Sequence, residues 1–153
     1  MSGVRIETVG ESDLPALLPL MRGYCDFYRV NPPDNDLLAM SRALLADPDC
    51  EGVQFIAYGD GGEALGFATI FWLWSTSQAA RIGLMNDLFV VPEARGRRIG
   101  EALIERCVEA VRERGAVALQ WQTALDNRTA QALYDRVGGT REQWLDYSID
   151  VRV

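Results

Sequence analysis

Asn86-Asp87-Leu88-Phe89-Val90-Val91-Pro92-Glu93-Ala94-Arg95-Gly96-Arg97-Arg98-Ile99-Gly100-Glu101-Ala102-Leu103 is the stretch on which the fold turns. An apolar run stops at Pro92, and a loop with two glycines and three arginines passes straight into an amphipathic pattern. The spacing predicts a strand over about Ile82 to Val91 and a helix over Arg97 to about Arg114. Ile99, Leu103, Ile104, Cys107, Val108 and Val111 trace one helical face, with Gly115 at its end. A helix N-terminus exposes unpaired N–H groups and about half a positive charge. Glycines let a phosphate approach the backbone, and arginines add charge-assisted, often bidentate bonds. The pattern can cradle a pyrophosphate. Taken alone it is equally the pattern of an ordinary strand-to-helix turn that binds nothing. It is neither a Walker A loop, since the lysine is missing, nor a GxGxxG fingerprint.

Outward from this stretch the elements alternate. Val4 to Thr8 reads as a strand, and Ser12 as the cap of a helix carrying Leu14, Leu17, Leu18, Met21, Cys25 and Tyr28. Asn31-Pro32-Pro33-Asp34 breaks it, and Asp34 or Asn35 caps a second helix running to about Ala46. Val53 to Tyr58 and Ala64 to Trp74 flank a Gly59-Asp60-Gly61-Gly62 turn, a hairpin signal. Val117 to Thr123 reads as a strand and Thr129 to Val137 as a helix closed by Gly138-Gly139. Last, Leu145, Tyr147, Ile149, Val151 and Val153 alternate with Asp146, Ser148, Asp150 and Arg152, the pattern of a half-buried strand. The order describes a single α/β domain over residues 1-153 with a mixed sheet.

Composition bounds the chemistry. The 153 residues hold 48% hydrophobic and 24% charged residues, enough for one globular core. All 15 basic residues are arginine, and the histidine count is zero. Ser-His and Cys-His catalysis, histidine-ligated zinc, Schiff-base lysines and the P-loop lysine are therefore excluded. With 22 acidic residues and a net charge of −7, a broad nucleic-acid footprint is not expected. Cys25, Cys50 and Cys107 are odd in number and widely spaced, so neither a disulfide framework nor a thiolate metal site is expected, and Cys107 reads as a buried thiol. The longest apolar run, about Leu65 to Trp74, is too short to span a bilayer, and the first residues lack a signal-peptide core. A cytoplasmic protein without metal, membrane or nucleic-acid partner is the expectation.

A second block runs from Trp121 to Gly139. Asn127 and Tyr134 lie seven residues apart, nearly two helical turns, and share one face if both are helical. Either residue alone is most simply a helix cap or a packed tyrosine.

Together the two blocks resemble the GNAT superfamily of N-acetyltransferases. Arg95 to Gly100 is similar to its acetyl-CoA motif, Arg/Gln-x-x-Gly-x-Gly/Ala, with Arg98 standing at the middle glycine. Asn127-x-x-Ala130-x-x-Leu133-Tyr134 before Gly138-Gly139 is similar to the second motif, about 30 residues downstream. The resemblance implies a mixed, mostly antiparallel sheet of six to seven strands flanked by about four helices. It implies that Arg95, Gly96, Arg97, Arg98, Ile99, Gly100 and Glu101 hold the coenzyme A pyrophosphate. Leu88, Phe89 and Val90 would lie along the pantetheine arm, and Asn127, Ala130 and Tyr134 would also contact the cofactor. Tyr134 would protonate the leaving thiolate. Asp87, aided by Asn86 where the diamine-acetylating branch often has Glu, is the candidate base or water-holder. A strand bulge would free a backbone N–H near Leu88 to polarise the acyl carbonyl.

The acceptor side is expected from Tyr24, Asp26, Tyr28, Trp72 and Trp121, aromatic faces and carboxylates that suit a cationic amine. The Tyr24 to Pro32 pattern, with Trp144 and Tyr147, resembles the bacterial diamine and Hpa2-like branch. The implied activity is acetyl transfer from acetyl-CoA to a primary amine of a small molecule, by a homodimer. Three alternatives stand beside it: a coenzyme-binding module without turnover, an acetyltransferase for protein lysines or N-termini, and a nucleotide-phosphate enzyme of another kind.

Overall fold

The computed structural model describes residues Gly3–Arg152. Its sheet has the order β1-β2-β3-β4-β5, formed by Arg5–Thr8 (β1), Gly52–Tyr58 (β2), Ala64–Ser75 (β3), Ala80–Val90 (β4) and Leu119–Gln120 (β5). The first four are antiparallel, whereas β5 runs parallel to β4. Parallel neighbours need a long crossover, and α3 (Ile99–Arg114) supplies it. Two further helices, α1 (Leu14–Phe27) and α2 (Asp34–Ala46), join β1 to β2.

Alternation along the strands sorts the core into two layers. Ile56 and Phe67 pack with Leu14, Leu17, Leu20 and Met21 of α1 and Leu37 of α2. On the other face Arg106 of α3 lies 4.6 Å from the Phe55 ring centroid, and Arg114 lies 5.7 Å from that of Trp72. Ile99, Leu103, Ile104, Cys107, Ala110 and Val111 form the buried stripe of α3 at the expected helical spacing. Cys107 is fully buried, and burial pushes its thiol up to about 12.

Several boundaries differ from the sequence reading. Ser12 lies in a short 3-10 turn, Glu11–Asp13, and caps nothing; Asp13 instead accepts the Gly10 N–H at 2.8 Å. Pro33, not Asp34 or Asn35, is the N-cap of α2. Proline's fixed φ suits a helix entry, and Asp34 and Asp36 act through the first-turn dipole instead.

The chain divides into two compact units, the second beginning at Thr123. There α4 (Arg128–Arg136) is capped by Asn127, whose side chain accepts the Ala130 N–H at 3.2 Å. No strand follows among the described residues, so the sheet has five strands rather than six or seven. Leu145 to Arg152 lacks a ladder despite its alternation; Val153 lies outside the described residues. Alternation specifies two faces, but a strand also needs a neighbour for its backbone groups.

Candidate active site

The β3–β4 ladder carries the first element of the site. Thr69 pairs with Asp87 and Ile70 with Met85, leaving Asn86 without a partner residue. This is a β-bulge, which turns the strand's facing by one residue. Met85 therefore shares the α3 face with Ile70, while Asp87 shares the α1 face with Thr69. The bulge thus lies at Asn86, two residues before Leu88. Asn86 is exposed, whereas Asp87 keeps only 6% of its surface.

A buried carboxylate must find donors. Asn86 Nδ2 donates to Asp87 Oδ1 at 3.0 Å, and the hydroxyls of Thr69 and Tyr24 also hydrogen-bond its carboxylate. Gln54 Nε2 in turn donates to Thr69 Oγ1 at 3.0 Å, and the single Tyr24 O–H is shared between Asp87 and the Asn86 carbonyl, 3.2 Å away. Burial is the larger influence and raises the Asp87 carboxyl above its ordinary value, while the three donors pull it down. Burial and the neighbouring Asp87 charge likewise push the Tyr24 phenol well up. Gln54 and Thr69 escaped the sequence reading. Their signal was a polar residue at an inward position inside an otherwise apolar strand.

An acid whose folded pKa lies above its unfolded value binds more protons when folded. Asp87 therefore contributes a stability that falls as pH rises from about 3.8 and is flat above the raised pKa. The urea midpoint of the native chain should decline relative to that of Asp87→Asn over that interval. A native midpoint that climbs relative to the variant would mean that the three donors outweigh burial.

The second element is the turn into α3. Arg95 Nε donates to the Val90 carbonyl at 3.1 Å, tying the loop to the end of β4. Gly96 has φ +79°, and Arg98 has φ 60° and ψ 23°, both left-handed. Arg98 is the N-cap of α3, and its own side chain makes no capping hydrogen bond. The first intrahelical bond runs from Ala102 N to the Arg98 carbonyl, at 3.1 Å. The N–H groups of Ile99, Gly100 and Glu101 thus stand in the first turn without helical acceptors. Arg95, Gly96, Arg97 and Arg98 are exposed around them. Backbone donors, a positive dipole end and three guanidinium groups fit a diphosphate.

The left-handed geometry of Arg98 explains in physical terms why glycine suits this position. A left-handed non-glycine residue costs roughly 1–2 kcal/mol, whereas glycine loses about 0.5–1 kcal/mol more chain entropy on folding. Arg98→Gly should therefore stabilise the fold by roughly 0.5 kcal/mol. An upward shift of the urea midpoint at unchanged slope would be the sign.

Among the expected acceptor contacts, Tyr24, Asp26 and Tyr28 stand on or just after the last turns of α1, with the Tyr24 and Tyr28 ring centroids 4.8 Å apart. Asp26 and Tyr28 are exposed and Tyr24 is half-buried. Trp72 is not with them. It is 7% exposed on the α3 face, and its indole N–H donates to the Pro48 carbonyl at 3.0 Å. Strand parity sends it to the face opposite Thr69 and Asp87. Trp121 is half-buried just beyond β5. Asn127, Ala130 and Tyr134 belong to the second unit, on α4 and its cap, with Tyr134 half-buried. No group of side chains fit to hold a metal ion occurs among the described residues, and no helix is long and apolar enough to cross a membrane.

Comparison with known proteins agrees with this geometry. The model of the acetyltransferase (GNAT) family matches residues 18–139. The uncharacterized N-acetyltransferase YhfO of Bacillus subtilis is 34% identical over 135 residues, 88% of this chain and 89% of its own. The D-amino-acid N-acetyltransferase HPA3 of Saccharomyces cerevisiae is 29% identical over 134 residues, 86% of this chain and 82% of its own. A solved structure of AAC(6')-Iy, in complex with the bisubstrate analog CoA-S-monomethyl-acetylneamine, shares the fold with a TM-score of 0.86 and 21% identity, covering 97% of this chain and 99% of that one. With the family model matched across both compact units and a relative similar over most of its length, the chain belongs to the GNAT family and is an N-acetyltransferase.

Proposed function

We propose that this N-acetyltransferase takes its acetyl group from acetyl-CoA and delivers it directly to a primary amine of a small molecule. One observation carries the reading: a bulged β4 runs into the α3 N-terminus through two left-handed residues, the second of them an N-cap whose side chain makes no capping bond. The thioester supplies an activated acyl group. The N–H groups of Ile99, Gly100 and Glu101, with Arg95, Arg97 and Arg98, hold the diphosphate. Leu88, Phe89 and Val90 offer their backbone to the pantetheine arm, and the motif resemblance adds Asn127 and Ala130 as cofactor contacts.

An alkylamine with a pKa near 10 is mostly protonated at neutral pH. Asp87 is the group that takes up its proton, and the raised carboxyl brings it closer to working pH, where a base is most effective. Asn86 orients Asp87 through its 3.0 Å hydrogen bond. A backbone N–H near Leu88 donates to the acyl carbonyl oxygen, and the Tyr134 hydroxyl gives its proton to the departing sulfur.

The acceptor meets Tyr24, Asp26 and Tyr28, an aromatic and acidic group suited to a cation. HPA3 and the neamine-derived analog of AAC(6')-Iy are both concerned with small amines, which supports the class. The match from residue 18 to 139 runs through both compact units and supports reading residues 1-153 as one domain. The reading takes the protein as a cytoplasmic homodimer that engages neither nucleic acid nor membrane. Acetyl-CoA-dependent thiol release across a panel of polyamines, amino acids and aminated sugars tests it. Release with at least one small amine is expected. Thermal stabilisation by coenzyme A with no release from any amine would leave a binding module instead.

A further inference from the structure

The rung of the sheet that carries Asp87 also holds a residue to which the catalytic reading gives no part. Gln54 of β2 stands opposite Thr69 of β3, and Thr69 stands opposite Asp87 of β4. Directly opposed residues share a face, so three polar side chains line up across three strands. The bulge at Asn86 creates this row. With Ile70 opposite Met85, an unbroken ladder would have set Asn86 against Thr69. Gln54 is 4% exposed and Thr69 is fully buried. A buried amide costs free energy unless its donors are used.

Both N–H groups of the Gln54 amide have acceptors. Nε2 lies 3.9 Å from Met21 Sδ on α1 and 3.0 Å from Thr69 Oγ1. A thioether sulfur accepts and has no proton to give, which settles the end of the amide that faces it. Ser41 Oγ of α2 donates to the same sulfur at 3.7 Å. A threonine hydroxyl has one proton. With its oxygen accepting from Gln54, that proton points to Asp87, whose carboxylate it hydrogen-bonds. The donors run one way, from Gln54 to Thr69 to Asp87.

We infer that Gln54 is a positioning residue, which turns the Thr69 hydroxyl onto the Asp87 carboxylate and so fixes where that carboxylate points and how readily it ionises. The inference rests on Asp87 as the group that takes up the amine's proton. From α1, Tyr24 and Cys25 are the titratable groups that face Asp87, and burial pushes both up, which keeps them neutral at working pH. Gln54 of β2, Thr69 of β3 and Asn86 of β4 do not titrate. The groups around the carboxylate are thus neutral dipoles, whose effect depends on where each one points.

Losing a donor to the charged form makes a carboxyl harder to ionise and moves the acid limb of the pH–rate profile upward. In the full chain, the Asp87 carboxyl resonance, identified by its loss in Asp87→Asn, is titrated by NMR. The pH profile of thiol release from acetyl-CoA is recorded beside it, with the most active amine of the polyamine, amino acid and aminated sugar panel. Thr69→Val should lower the acid dissociation constant of Asp87 about tenfold, and Gln54→Met about threefold. Thr69→Ser keeps the hydroxyl and should stay within about twofold of the native constant. The acid limb should move in the same order. Gln54→Leu takes the place of Gln54→Met if the latter loses its urea transition. A shifted carboxyl with an unmoved acid limb upholds the positioning role and removes Asp87 as the base. An unshifted carboxyl in the folded Gln54 variant overturns the inference. So does a Gln54 effect that persists undiminished beside Thr69→Val, since it would then bypass the hydroxyl.

Discussion

Tyr134→Phe should slow turnover of the acceptor about 100-fold, the lower end of what a positioned general acid contributes. The variant loses a single oxygen, so the ring keeps its place on α4 and binding of coenzyme A should change less than about threefold, under 1 kcal/mol. The leaving thiolate is a moderate base, and raising pH makes an unprotonated departure no easier for the phenylalanine variant. The loss should therefore persist across the pH profile. Steady-state thiol release together with calorimetric binding separates the two effects. Unchanged turnover would remove Tyr134 from the chemistry and leave it a packing residue.

Gly100→Asp should act in opposite directions on binding and stability. A carboxylate in the first turn of α3 favours the helix dipole by roughly 0.3–1 kcal/mol, which offsets or exceeds the cost of the new side chain. The same carboxylate occupies the N–H groups assigned to the diphosphate and sets like charge against it. Hydrogen bonds to charged groups contribute about 1.5–3 kcal/mol each, and losing one or two of them weakens coenzyme A binding about 100-fold. A folded, undiminished melting transition combined with lost binding is thus the expected result. Binding that survives in a stable variant would show that the phosphates do not meet this helix end.

Much of this was legible because it is local. The α3 stripe from Ile99 to Val111 repeats at helical spacing, and its burial follows the sequence reading except that Ala110 is buried where Val108, half-buried, was expected. The strand pairs around Gly59-Asp60-Gly61-Gly62 likewise follow from turn chemistry and apolar runs. The bulge at Asn86 was less accessible. A bulge in this stretch, with a freed N–H near Leu88, was implied by resemblance alone, because its position depends on the β3–β4 register, which no single strand encodes. The carboxylate network was hidden for the same reason, since Gln54, Thr69 and Asp87 are distant in the chain and meet only through two ladders. Trp72 shows the reverse error. Its aromatic character suited an acceptor pocket, yet strand parity sends it into the α3 layer, where the Pro48 carbonyl accepts a hydrogen bond from its indole N–H. The segment from Leu145 shows a limit of periodicity itself: alternation declared two faces and could not declare a neighbour.

Calorimetric titration of the chain with coenzyme A, and separately with pantetheine, addresses the phosphate assignment most directly. Pantetheine keeps the arm and the thiol but has no diphosphate for Ile99, Gly100 and Glu101 to hold. Saturable heat with coenzyme A and binding at least about 100-fold weaker for pantetheine is the outcome required if these donors supply about 3 kcal/mol. Equal affinities for the two, or no heat with coenzyme A, would contradict it.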